Sequence, residues 1–284
     1  MVRIIADTTC VLPQALCKEL NIPILPQIIN IGEKSYRDDT ELDTTTFIKM
    51  LKESPIYPQT AAPPPLLYHP IFEEILATGD SIVVVCPSNE ISGTFRSATV
   101  AAQDFPEANI HIVDTRTVAG GLANLVLMAY EWAQAGMGAT EIAEKLVEKR
   151  RHERLFFMVD TLEYLAKGGR IGNAKALLGG ILQLRPILTL RNGVITPFEN
   201  QRTRHKALAR MIELSTKIYR AAPDSRLNIV QASAEDLSVE IAEKLKLELG
   251  ISEIPIYNQC ASIVTHAGPG AICISFFDES FLNE

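Results

Sequence analysis

The sequence predicts an α/β protein in two parts: an N-terminal doubly wound domain on a mainly parallel sheet, then a C-terminal mixed α/β domain. Three observations carry this. Short apolar runs alternate with helical patterns through the first half of the chain. Those runs are apolar on both faces, as strands covered by helices on each side must be. Further on, an Asn-Gly pair at 192–193 sits between two extended segments, which is the strongest short-range signal for an antiparallel hairpin.

Taken in order, strands are expected over 2–6, 81–86 and 109–113, where Val and Ile dominate. Helices are expected over 13–20, 93–103 and 121–135, and a further helix over 139–151 with Thr140 as its cap. The pattern changes after that helix, which places the boundary between domains 1–152 and 153–284. In the second domain, strands are expected at 155–159, 187–190, 194–198, 226–230, 253–257 and 271–277, with helices over 203–220 and 235–249. In open sheets of this kind ligands lie beyond the carboxyl ends of the strands. There the sequence puts Asp7-Thr8-Thr9, a loop from Ser88 to Thr94 rich in hydroxyls, and Asp114-Thr115-Arg116-Thr117.

Composition narrows the function. With 27 Lys+Arg against 34 Asp+Glu, the net charge of −7 argues against a nucleic-acid partner, which needs a basic footprint. The five cysteines, at 10, 17, 86, 260 and 273, are odd in number and have no CxxC spacing, so they read as free thiols in a reducing compartment, without metal. A carboxylate at Asp7 interrupts the N-terminal apolar run, and no later run reaches membrane-spanning length. A cytoplasmic protein without integral membrane association, metal or cofactor is the expectation.

Candidate chemistry falls in four places. Gly168-Gly169-Arg170-Ile171-Gly172 is a glycine-punctuated turn expected to lead into a helix N-terminus, where backbone N–H groups and a planar guanidinium could meet one carboxylate. Alternatively the glycines only turn the chain and Arg170 pairs with a neighbouring acid. His266, in Thr265-His266-Ala267-Gly268-Pro269-Gly270, is expected at a loop tip, able to donate to an anion and to charge when one binds. Ser88, Ser92 and Thr94 offer more hydroxyls than a helix cap needs. Thr60 reads as a turn residue, and Asp7 as a strand-end cap that also faces the crevice. A hydrolase triad of Ser92, His266 and Asp160 or Asp114 is the enzymatic alternative, but the G-x-S-x-G elbow is missing.

Four of these segments together resemble the DegV family of bacterial fatty-acid-binding proteins: Ile4-Ile5-Ala6-Asp7-Thr8-Thr9, Ile91-Ser92-Gly93-Thr94, the run from Val159 to Gly172, and Thr265 to Gly270. The resemblance runs essentially end to end. It implies one long-chain fatty acid in a cleft between the two domains, its carboxylate met by Thr60, Ser92, Arg170 and His266, with Gly93 and Ala267 as further ligand contacts and no catalytic residue. It also implies a possible partner, a separate ATP-dependent fatty-acid kinase subunit that would make acyl phosphate for phospholipid synthesis. The chain departs from the family pattern at Ala61-Ala62, where Ser-Gln is usual, and at Asn89, the second position of a Ser-Ser pair. The readings kept beside the carrier are an acyl or phosphate ester hydrolase and a sensor of another small acid.

Overall fold

A computed structural model of the chain describes residues 1–178, 184–222 and 224–280. The expected second domain, drawn to 284, therefore includes residues outside the described ones. Among the described residues, seven strands form in the first half: β1 (Val2–Asp7), β2 (Ile24–Leu25), β3 (Ile28–Ile31), β4 (Lys34–Arg37), β5 (Gln59–Ala61), β6 (Ser81–Cys86) and β7 (Ile110–Asp114). Six more come after them: β8 (Glu153–Met158), β9 (Arg185–Arg191), β10 (Val194–Gln201), β11 (Asn228–Gln231), β12 (Ile256–Asn258) and β13 (Ile272–Phe277). These strands make three sheets.

The four-stranded sheet, ordered β2-β1-β6-β7, is wholly parallel, and Val83, Val84, Val85 and Cys86 on its inner strand are fully enclosed. Burial of both faces explains the absence of polar alternation there. The six-stranded sheet, ordered β10-β9-β8-β13-β11-β12, is antiparallel except for the β11–β12 pair. Asn192 and Gly193 both have positive φ, 49° and 79°, the backbone of a type I′ turn, so the β9–β10 hairpin forms where it was expected. All strands of the parallel sheet precede residue 115 and all strands of the mixed sheet come after residue 152.

Helix Gly120–Gln134 lies between them and packs on β1 and β13 alike. Its first turn fits only because it lacks side chains: a Cβ on Gly120 would stand 2.1 Å from Asn228 Oδ1. Asn228 in turn donates to Gly120 O and Asn124 Oδ1 and accepts from Ser275, at 2.9 Å each. The largest apolar cluster crosses this seam, joining Val85 and Leu122 to Leu155, Leu188 and Cys273.

Two expectations do not hold. Residues 28–76, for which the sequence pattern names no element, build a three-stranded antiparallel sheet, β4-β3-β5, and helices Thr44–Glu53 and His69–Leu76. The strands of that sheet are three or four residues long, too short for a period to show. Thr60 is accordingly a strand residue opposite Ile29, not a turn residue. Helix Ala139–Lys149 starts from Gly138 without a side-chain cap, so Thr140 lies inside it.

Candidate functional site

The three sheets meet around a cavity with about 890 Å³ of space that no atom fills, part of it open solvent. Leu155 and Phe157 stand two apart on β8 and so share a face. With Leu190, Ile195 and Cys273 from neighbouring strands they make one apolar wall. Val118, Ala119 and Ile91, from the connections after β6 and β7, make a second, and Ile263 and Ala267 come from helix Ala261–Ala267. Thr60, Ser92, Gly93, Arg170, His266 and Ala267 all reach this same cavity, although they come from segments as much as 200 residues apart.

Arg170 is held rather than free to swing. It lies just beyond the short helix Glu163–Lys167, where Gly169 takes φ +71° and reverses the chain. Its Nε donates to Ile91 O at 3.1 Å and its Nη1 to Gly168 O at 2.7 Å. No carboxylate lies within ion-pair distance of it among the described residues, so the alternative of a local acid partner is not realised. Burial pulls its pKa down, the mark of a cation short of compensation. The expected helix N-terminus is absent as a strong dipole: the next element is a six-residue 3₁₀ helix, Gly172–Leu177, entered through Gly172 at φ +52°. The cationic character of the site therefore rests on the guanidinium.

His266 is not at a loop tip. It sits in the last turn of helix Ala261–Ala267, which Gly268 ends at φ +75°. Its Nε2 is 2.8 Å from Thr60 Oγ1, while Nδ1 is buried with no partner among the described residues. Burial, with Arg170 nearby, pushes the imidazole down to about 3, so it is neutral near pH 7. An orphaned N–H is rarer in folded proteins than an orphaned acceptor, which places the proton on Nε2. Thr60 then accepts from His266 and keeps its own hydroxyl hydrogen for a ligand.

Ser92 Oγ lies 3.0 Å from Thr94 Oγ1 and accepts from Thr94 N at 3.3 Å. Thr94's own hydrogen goes to Asp7 Oδ2 at 2.7 Å, so Ser92 is the donor of that pair. Asp7 is fully buried; burial raises its pKa, and donors from Thr9, Thr94 and Gln27 oppose the rise. Ser88 does not reach the cavity wall; its hydroxyl donates to Gly193 O at 2.9 Å. The triad geometry is missing as well. Ser92 is not bonded to His266, Asp160 pairs with Arg204, and Asp114 accepts from the Asn89 and Arg116 amides. Sequence reasoning missed Gln27, Gln259 and Ser262, which also line the cavity. The one local signal for Gln27 is an amide between Ile24-Leu25 and Ile28-Ile29.

The sequence profile described as "Uncharacterised protein, DegV family" matches residues 1–279. The chain belongs to the DegV family. A DegV domain-containing protein of Streptomyces coelicolor is 34% identical over 275 residues, covering 95% of this chain and 96% of that one. A DegV family protein from Thermus thermophilus, described by its fatty acid binding, superposes with a TM-score of 0.91 at 29% identity, covering 98% and 99% of the two chains. DegV of Bacillus subtilis, described as a fatty acid binding protein, superposes at 0.86 with 31% identity over 98% and 99%. The paired parallel and mixed sheets are thus the DegV fold. No helix among the described residues is long and apolar enough to cross a membrane.

Proposed function

We propose that this protein binds one long-chain fatty acid in the cavity, with the carboxylate against Arg170, Thr60 and Ser92 and the chain between the apolar walls. One observation carries the reading: a largely apolar cavity holds a half-buried guanidinium that no carboxylate among the described residues neutralises. The fatty acid binding described for the Thermus thermophilus and Bacillus subtilis relatives supports it.

The two ends of the ligand do different work. Each buried CH₂ contributes roughly 0.8 kcal/mol of transfer free energy, so the chain supplies affinity. An ion leaving water costs several kcal/mol unless its lone pairs are met, so the head supplies selection for an acid. On binding, Ser92 turns its hydrogen from Thr94 toward the carboxylate, a stronger acceptor than a hydroxyl. Thr60 adds its free hydrogen, and His266 supports Thr60 from behind. Gly93 and Ala267 contribute shape: a Cβ on Gly93 would meet that of Ala62 at 3.4 Å, so Ala62 closes the wall.

The protein acts as a carrier with no chemistry of its own. It hands the acyl carboxylate to a separate ATP-using kinase subunit, a reading supported by the family resemblance. The test is denaturing extraction of the purified protein followed by mass spectrometry. A stoichiometric fatty acid, with no esterase turnover, is expected; a polar ligand or none would overturn the reading. Acyl phosphate formed by a candidate kinase only when this protein is present is the result expected of the hand-over, and formation without it would refute that step.

A further inference from the structure

The apolar wall of the cavity has a direction. Strand β8 leads toward the Arg170 turn, and β13 starts shortly after His266, so the ends of both strands nearest the cationic site are known. From that end their register pairs Phe157 with Cys273, then Leu155 with Ser275, then Glu153 with Phe277. Opposite partners, and residues two apart on a strand, share a face of the sheet. Phe157, Cys273 and Leu155 line the cavity, whereas Glu153, about 7 Å further along the strand, does not. The wall therefore ends between Leu155 and Glu153.

Both walls close at the same place. Thr117 directly precedes Val118 and Ala119, which line the second wall. Its hydroxyl donates to Glu153 Oε1 at 2.6 Å, so one hydrogen bond joins the two walls just past their last lining residues. The first turn of helix Gly120–Gln134 covers this junction: a Cβ on Gly121 would overlap both Glu153 Oε1 and Thr117 Oγ1, and one on Gly120 would overlap Asn228 and Ser275. Glu153 and Thr117 are buried, and the carboxyl has no room to retreat toward the helix. Burial raises that carboxyl to about 8, so near pH 7 it is neutral and can lie beside hydrocarbon without the desolvation cost of a charge.

We infer that Glu153, held by Thr117, is the stop that sets the longest acyl chain the cavity accepts. This rests on the fatty-acid reading and deepens it, assigning the end of the cavity away from the carboxylate. A tail that reaches past Leu155 meets polar groups that already satisfy one another. To go further it must part Thr117 from Glu153, and a methyl group offers neither of them a replacement partner. Affinity gained by each added methylene therefore ceases at this point.

The experiment is equilibrium binding of a series of straight-chain saturated fatty acids, lengthened one carbon at a time, to wild type, Glu153→Ala, Glu153→Ser and Glu153→Gln. In wild type, affinity should climb roughly fourfold per methylene to a best length and fall beyond it. Glu153→Ala opens the end, and Glu153→Ser does so while keeping a hydroxyl for Thr117; both should move the best length to longer acids. Glu153→Gln, which keeps the volume, should restore the wild-type optimum. Thermal melting identifies the folded variants, and either of the two small replacements suffices. An unmoved optimum in a folded small replacement overturns the stop, as does a glutamine variant that shifts as far as alanine. If no acid in the series binds wild type, the fatty-acid reading itself fails.

Discussion

Gly168 packs against the ring of His266 so closely that a Cβ there would stand 2.1 Å from Nδ1 and 2.9 Å from Cε1. The backbone of Gly168 is ordinary, φ −77°, so glycine is required by contact and not by conformation. Gly168→Ala should push the imidazole off Thr60 and lower fatty-acid affinity about tenfold, the scale of one hydrogen bond to a charged group. Titration alongside thermal melting checks this; unchanged affinity in a folded variant would show that the ring position does not matter.

The seam between the two larger sheets depends on a second close approach. Gly193 has φ +79°, and a Cβ on it would meet Ser88 Oγ at 2.2 Å. A left-handed residue with a side chain costs about 1–2 kcal/mol before any clash. Gly193→Ala should therefore destabilise by more than that, and Ser88→Ala should relieve part of the excess. Additive denaturation free energies for the pair would contradict the contact.

Cys273 is buried on the apolar wall, paired across the sheet with Phe157. Cys273→Phe should fill part of the channel and shift the extracted acids toward shorter chains, read by mass spectrometry. The same chain-length distribution as wild type would place the acyl chain elsewhere.

Glu153 carries the clearest pH signature. Burial raises its carboxyl to about 8 from 4.5, against a hydrogen bond from Thr117 Oγ1 at 2.6 Å. Between those two values the folded state holds a proton that the unfolded state has released, so stability falls as pH climbs from 4.5 toward 8 and levels off above it. His266 works the other way. Depressed to about 3 from 6.5, it stays neutral on folding and costs stability only as pH falls below 6.5. Between pH 6.5 and 8, then, the unfolding free energy should decline with a slope of at most about 1.4 kcal/mol per pH unit from Glu153. Glu153→Gln should flatten it. An equally steep decline in the variant would assign the effect to other groups.

The parallel sheet was legible because its longer strands are apolar runs, and the hairpin because Asn192-Gly193 is the backbone signal itself. The β4-β3-β5 sheet was not, since Lys34–Arg37 and Gln59–Ala61 carry no apolar period; packing of Ile29 and Phe47 with Val264 orders them instead. The six candidate residues were found through motifs, and all six line one cavity. Their local settings were harder to read. A seven-residue helix around His266 and a 3₁₀ segment after Arg170 are set by glycines at positive φ, whose effect on direction no pattern of side chains encodes. Gln259 was invisible because nothing in its local sequence marks it as lining a cavity that forms only in the folded chain.

On the proposed reading, Arg170 is the group that admits an acid into a largely apolar cavity. Calorimetric titration of wild type and Arg170→Met with one long-chain fatty acid tests this most directly, since methionine keeps the packing of the stem and removes the charge. A loss of tenfold or more, about 1.4 kcal/mol or greater, with the melting temperature largely kept, is the predicted result. Equal affinities in the two proteins would contradict it.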